Sequence, residues 1–228
     1  MGDQPLVHRP GLPGDLPAPE LLWARWAAVA VVTARDEASM GRYPTGCWID
    51  AGGLHLDDCG STWWTLRRYD GGRAVLYGED ESSDVKWHKP AVDMLAGAPE
   101  WLPYATLRDL LEGYELGCVY WYENGAWARA PYPDDLRDDG LDCGIRRFLD
   151  PVDVLDTLGD HLDADVDGAA ARTLLDHAER STVTPEVLDT FLATTEADTG
   201  SGPARLRALR RAGLDGSGAF PVPEPSEV

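Results

Sequence analysis

Lysine is almost missing from this chain: of twenty basic residues only Lys86 and Lys89 are lysines, against forty acids. Asn124 is the sole asparagine and Gln4 the sole glutamine. With abundant Ala, Gly, Pro, Arg and Asp, this scarcity reads as coding bias in a GC-rich, bacterial genome; adaptation to high salt ranks second. A net charge of −20 repels phosphate backbones, so no nucleic acid is expected as a partner unless basic residues concentrate locally. Arg205, Arg207, Arg210 and Arg211 are the one such concentration, interleaved with Leu206 and Leu209. On so acidic a body this basic helix is expected to fold back onto its own chain or a sister subunit, and no membrane is expected as a partner.

Long hydrophobic runs are also lacking. The longest, Leu21 to Ala34, is interrupted by Arg25 and is too short to span a bilayer. The first twenty residues hold Asp3, Asp15, Glu20 and several prolines where a secretory signal would place a basic and then an apolar stretch. A cytoplasmic location follows as the expectation, with Cys47, Cys59, Cys118 and Cys143 as reduced thiols.

Motifs of common chemistry are scarce. There is no Cys-x-x-Cys, no Gly-x-Ser-x-Gly elbow and no glycine-rich phosphate loop. Cys47, His55 and Cys59 lie close in sequence but lack zinc-site spacing, so buried thiols are the better reading. Asp163, Asp165, Asp167 and Gly168 resemble the first half of a calcium loop, but its twelfth position is Leu174 in place of the glutamate that completes the coordination. A helix-capping loop is the simpler reading, and neither metal nor cofactor is expected.

What is present is an aromatic middle: all eight tyrosines and seven of the nine tryptophans fall between Tyr43 and Tyr132. There the pattern turns to short aromatic and β-branched runs separated by glycine turns. Ala51-Gly52-Gly53, Asp70-Gly71-Gly72 and Glu123-Asn124-Gly125 each join two such runs, which predicts three hairpins in an antiparallel sheet of roughly six strands. Strand alternation separates Trp64 and Leu66 from Trp63, Thr65 and Tyr69, and Val119 and Trp121 from Tyr120 and Tyr122. Both faces therefore carry aromatics and both need cover, most simply from the chain itself.

Helices are expected over Glu20–Arg35, with Leu22, Trp26, Val29 or Ala30 and Thr33 on one face, although Val29–Val32 also suits a strand. Two short helices are expected within Pro90–Gly113, and one further strand at Arg146–Leu149. The acids from Asp134 to Asp142 read as a solvated loop. Helices dominate after Asp150, starting at Asp150-Pro151 and Thr184-Pro185, with a last one over Pro203–Ala212.

The chain thus reads as α+β: an antiparallel β-sheet built from hairpins with helices packed on it, plus a mostly helical C-terminal region. Its expected divisions are an extended Pro/Gly-rich lead-in over 1–19, an α+β core over 20–149, a helical region over 150–214 and a flexible tail over 215–228.

For function, acids and aromatics point to a non-catalytic binding protein with a basic protein partner, such as an inhibitor or immunity-type protein. Charge would steer the encounter and aromatic anchors would hold the complex. Enzymatic activity is not the favoured reading, and catalytic residues and oligomeric state are left open. Candidate binding residues are Trp63, Trp64, Glu79, Asp80, Glu81, Asp84, Trp87, His88, Trp121 and Trp127. The alternatives are a carboxylate-dependent hydrolase near the Glu79–His88 loop, with Asp57, Asp58, Glu79 and Asp80 as a possible acid set, or a carbohydrate or small-ligand module using exposed Trp63, Trp64, Trp121 or Trp127.

Overall fold

A computed structural model describes residues 7–36, 41, 44–162, 166–195 and 201–217. Its centre is the predicted sheet. β1 (Gly46–Asp50) and β2 (Gly53–Asp57) form the first hairpin, β3 (Thr62–Tyr69) and β4 (Arg73–Asp80) the second, β5 (Cys118–Glu123) and β6 (Ala126–Arg129) the third. The six strands lie in sequence order and every neighbouring pair is antiparallel. The turns explain the pairing: Gly71 and Gly72 sit at φ 77° and 70°, and Asn124 and Gly125 at 53° and 83°. Those left-handed pairs match the strand twist that tight hairpins require.

One face of the sheet carries Leu54, Leu56, Trp64, Leu66, Leu76 and Tyr120 and packs against helices. α1 (Pro19–Val32) is the central one, and twelve of its fourteen residues are buried. The sequence suggested a single buried face; instead α1 is enclosed by β1, β2 and the C-terminal helices, which is how a helix with apolar residues on every side is accommodated. Val29–Val32 belong to this helix and form no strand. Trp26 stacks on Phe148 at 4.8 Å between ring centroids.

The C-terminal helices are α4 (Pro151–Leu162), α5 (Gly168–Glu179), α6 (Pro185–Leu192) and α7 (Gly202–Ala212). Their caps are those the residue types dictate: Asp150 accepts from Val152 N at 2.8 Å and Thr184 from Val187 N at 3.3 Å. Asp167 accepts from Ala169 N and Ala170 N at the start of α5, and Leu174 is core. Asp163 and Asp165, the rest of the calcium-like segment, lie outside the described residues. α7 does fold back, packing on α1 and β1. One hydrophobic cluster contains residues from both sides of Asp150.

The other face is covered by the connection between β4 and β5. Val75, Tyr77, Val119 and Trp121 pack with Val85, Met94, Leu102 and Leu107. Only one helix forms in this connection, α2 (Tyr104–Glu112); residues 92–95, expected to be helical, lie in a coil and turn segment ahead of Pro99 and Pro103, neither of which can continue a helix.

Two further expectations change. Arg146–Phe148 is a 3-10 turn following α3 (Leu141–Ile145), because Phe148 turns inward onto Trp26 where no strand edge is offered. The acidic stretch is not wholly solvated: Asp139 is 1 % exposed and accepts from the Tyr120 hydroxyl at 2.5 Å and Gly11 N at 2.9 Å. Within residues 7–19, Val7 and Leu16 are buried and Trp127 Nε1 donates to Pro17 O at 2.7 Å. Among the described residues no helix is long and apolar enough to cross a membrane.

Candidate interaction surface

Beyond β4 the chain turns at Glu81 and Ser82 and enters a 3-10 turn over Val85–Trp87. Val85 is 1 % exposed and anchors this turn in the second-face core. Lys86 folds along the surface, pairs with the Glu79 carboxylate and donates to Tyr114 O at 3.1 Å. Burial lowers its pKa, opposed by the charge of Glu115. With the flanking side chains so engaged, Trp87 projects outward at 65 % exposure.

Tyr114, at the end of α2, is also 65 % exposed, and its ring lies 6.3 Å from that of Trp87 with 17° between planes. The Lys86 ammonium sits 5.3 Å from the Trp87 ring centroid, within cation–π range. Glu81, Asp84, Glu112 and Glu115 are exposed on the same two segments, together with exposed Lys89, so the aromatic pair lies between segments that carry four exposed acids.

Tyr114 has an unusual backbone, at φ 57°. Glu115 N donates to Leu110 O and Tyr114 N to Leu111 O, the two bonds of a Schellman helix end. That motif places its left-handed position at Tyr114, one residue beyond Gly113, and a side chain there costs about 1 kcal/mol.

His88 is tied and not poised. Its Nδ1 lies 2.8 Å from Pro90 O and its Nε2 3.0 Å from the Asp135 carboxylate. Both neighbours are acceptors, which the protonated ring, with a donor on each nitrogen, satisfies together; the Pro90 carbonyl and Asp135 raise its pKa accordingly. A general base needs a bare nitrogen, and this arrangement opposes one. Asp80 is buried: burial alone would raise its pKa, but bonds from Ser82 and Thr62 outweigh that and hold it lowered. Glu79 is engaged by Lys86, while Glu81 and Asp84 reach solvent.

The tryptophans divide. Trp64 is 0 % exposed, with Gly144 of α3 directly against its indole. Trp121 packs in the second-face core and Trp127 at the lead-in, at 5 % and 8 % exposure. None of these three offers an open ring face, because sheet pairing places each under a covering segment. Trp63 is half-buried on the second face, edge-on to Tyr77 at 6.1 Å.

Trp63 also borders a shallow depression of about 240 Å³ over β1–β3, facing Trp48. There Trp48 stacks on His55 at 5.0 Å, while His55 Nε2 meets Asp50 at 2.8 Å and its Nδ1 meets the Thr65 hydroxyl at 3.0 Å. Cys47 faces the opposite side of the sheet and Cys59 is exposed in the β2–β3 turn, so Cys47, His55 and Cys59 do not converge. Among the described residues no cluster of three or more His, Cys, Asp or Glu could hold a metal ion.

No family model, curated protein or solved structure matches this chain.

The geometry alone therefore distinguishes the candidates. It unites Trp87 and Asp84 with Tyr114, which the sequence did not single out, and it scatters the remaining tryptophans. Gly113 hid Tyr114: a glycine at a helix end draws attention as the cap, while the left-handed residue is the one after it. Trp48 and His55 could have been paired from the first hairpin, whose register sets them opposite each other.

Proposed function

We propose that this protein is a non-catalytic binding module that holds a basic protein partner through Trp87, Tyr114 and the exposed acids of their two segments, as an inhibitor or immunity-type protein would. The adjacent exposed rings of Trp87 and Tyr114 carry the reading. Among the described residues the exposed large hydrophobic side chains are Leu12, Trp87, Tyr114 and Val152, and two of these stand together. Central aromatics ringed by charge are the pattern of an interface hot spot, and the chain's net charge of −20 favours a cationic counterpart.

The test is affinity capture from cell lysate at low salt, with the full chain beside a Trp87→Ala/Tyr114→Gly double variant. A basic protein released by salt and absent from the variant's eluate is the expected result. Identical eluates from both proteins, or none that salt releases, would overturn the reading.

A second reading rests on the Trp48–Trp63 depression, whose two indoles and Asp57 suit a small polyol or saccharide, with His55 holding the Trp48 ring in place. Titration with a panel of oligosaccharides, followed by tryptophan fluorescence, would show a saturable change lost in Trp48→Ala. An unsaturable response to the whole panel counts against it.

A further inference from the structure

Two basic side chains next to the Trp87–Tyr114 pair already have acids of their own: Lys86 pairs with Glu79 and His88 with Asp135. Lys89 is exposed on the same segment, and Arg108 of α2 lies over the Tyr104 ring at 5.3 Å. Against these stand the exposed Glu81, Asp84, Glu112 and Glu115. Asp84 precedes the 3-10 turn without making a side-chain capping bond, so capping does not occupy its carboxylate.

Lys86 shows what the rings accept. Its ammonium stands 5.3 Å from the Trp87 ring centroid, held there by Glu79 and by its bond to Tyr114 O at 3.1 Å. A compact cation therefore already uses the attraction of this indole, and another ammonium at the same ring would meet like charge and give up strong hydration. A guanidinium spreads its charge, is weakly hydrated, and stacks its plane on aromatic rings while its edge forks onto a carboxylate. Trp87 and Tyr114 are both 65 % exposed with planes 17° apart, so a flat group lying on one ring is nearly parallel to the other.

A net charge of −20 works against a second copy of this chain as the occupant, and the exposed acids leave a neutral segment without a counterpart for their charge. We propose that the group bound here is an arginine of a basic protein segment, its guanidinium flat on the Trp87 and Tyr114 rings and its edge on the carboxylates of Asp84 and Glu112, with lysine a poor substitute. This assignment rests on the binding role proposed for Trp87 and Tyr114 and specifies which basic side chain that role serves.

The full chain would be titrated at low salt with four peptides of equal length in which the same positions hold arginine, lysine, citrulline or proline. Calorimetry gives the affinities, and the Trp87 indole signal, assigned by its absence from Trp87→Ala, gives the place of binding by NMR. The arginine peptide is expected to saturate, to bind about tenfold more tightly than the lysine peptide, and to be released by salt. Citrulline, which keeps the shape without the charge, and proline should not saturate. Asp84→Asn combined with Glu112→Gln, both at exposed positions, should remove most of the preference for arginine at an unchanged melting temperature. Equal affinities for the arginine and lysine peptides, both lost in Trp87→Ala/Tyr114→Gly, would overturn the arginine assignment and leave the binding surface standing. Saturation that survives this double variant, or none with either cationic peptide, would overturn both. Tightest binding of the proline peptide, or self-association that Trp87→Ala abolishes, would reject arginine in favour of a polyproline segment or a second copy.

Discussion

Tyr114 places its ring 6.3 Å from Trp87 while its own backbone stands at φ 57°, in a region where a side chain is disfavoured. Burial does not offset this cost, since Tyr114 is 65 % exposed. A residue that is both strained and exposed is one that local folding would replace, and that makes the two effects separable.

Tyr114→Gly is accordingly expected to leave folding stability unchanged or raise it by about 1 kcal/mol, by relieving the left-handed strain. The same substitution should weaken partner capture. Urea denaturation of wild type and variant measures the first effect; a clear loss of stability would show that the ring supports the fold instead.

Gly144 allows α3 to lie against β3. A Cβ at this position would fall 1.7 Å from Trp64 Nε1, and Trp64 is fully buried with nowhere to withdraw. Gly144→Ala is expected to destabilise by about 3 kcal/mol, beyond the usual cost of one added methyl group. The shift in the urea midpoint at constant slope checks this.

Arg25 is a buried cation in the middle of the largely apolar α1, donating to the Glu179 carboxylate at 2.7 Å and to the Leu149 carbonyl. Arg25→Met removes both bonds and is expected to cost about 2 kcal/mol, because the Leu149 carbonyl loses a buried donor. Glu179→Ala should cost less, as Arg25 keeps that carbonyl. A double-mutant cycle should show the two losses to be non-additive.

The pair of His88 and Asp135 predicts a pH window. His88's pKa is raised, by the Pro90 carbonyl first and then by Asp135, so its contribution is fully present below about 6.5, the ordinary histidine value, and is lost as pH rises through the raised value. Asp135's pKa is lowered by His88, so its part is lost only as pH falls through that lowered value. NMR titration of the His88 ring should show the raised pKa. Asp135→Asn should lower it only in part, since the Pro90 carbonyl remains.

Much of this fold was legible because turn chemistry is local. Asp70-Gly71-Gly72 and Asn124-Gly125 specify left-handed turns whatever surrounds them, and strand alternation then assigns Trp63 and Trp64 to opposite faces. Thr184 and Asp150 announce helix starts by the same local logic. Arg146–Leu149 misled because Phe148's direction depends on Trp26, more than a hundred residues earlier.

The candidate site was less legible, since exposure is a relationship between segments. Trp63, Trp64, Trp121 and Trp127 look alike as residues in strands, yet Gly144, the β4–β5 connection and the lead-in cover them differently. Trp87 entered the candidate set through its charged neighbours, whereas Tyr114 became visible only once a helix end brought it alongside.

By itself, then, the sequence determined the antiparallel sheet, the helical C-terminal region and the anionic character, all of which follow from backbone preference, side-chain periodicity and charge count. Only the tertiary structure decided which aromatics remain at the surface and which residues stand beside them. The reason is physical: a side chain's conformational preference is set by its neighbours in the chain, but its exposure to water is set by whatever distant segment packs over it.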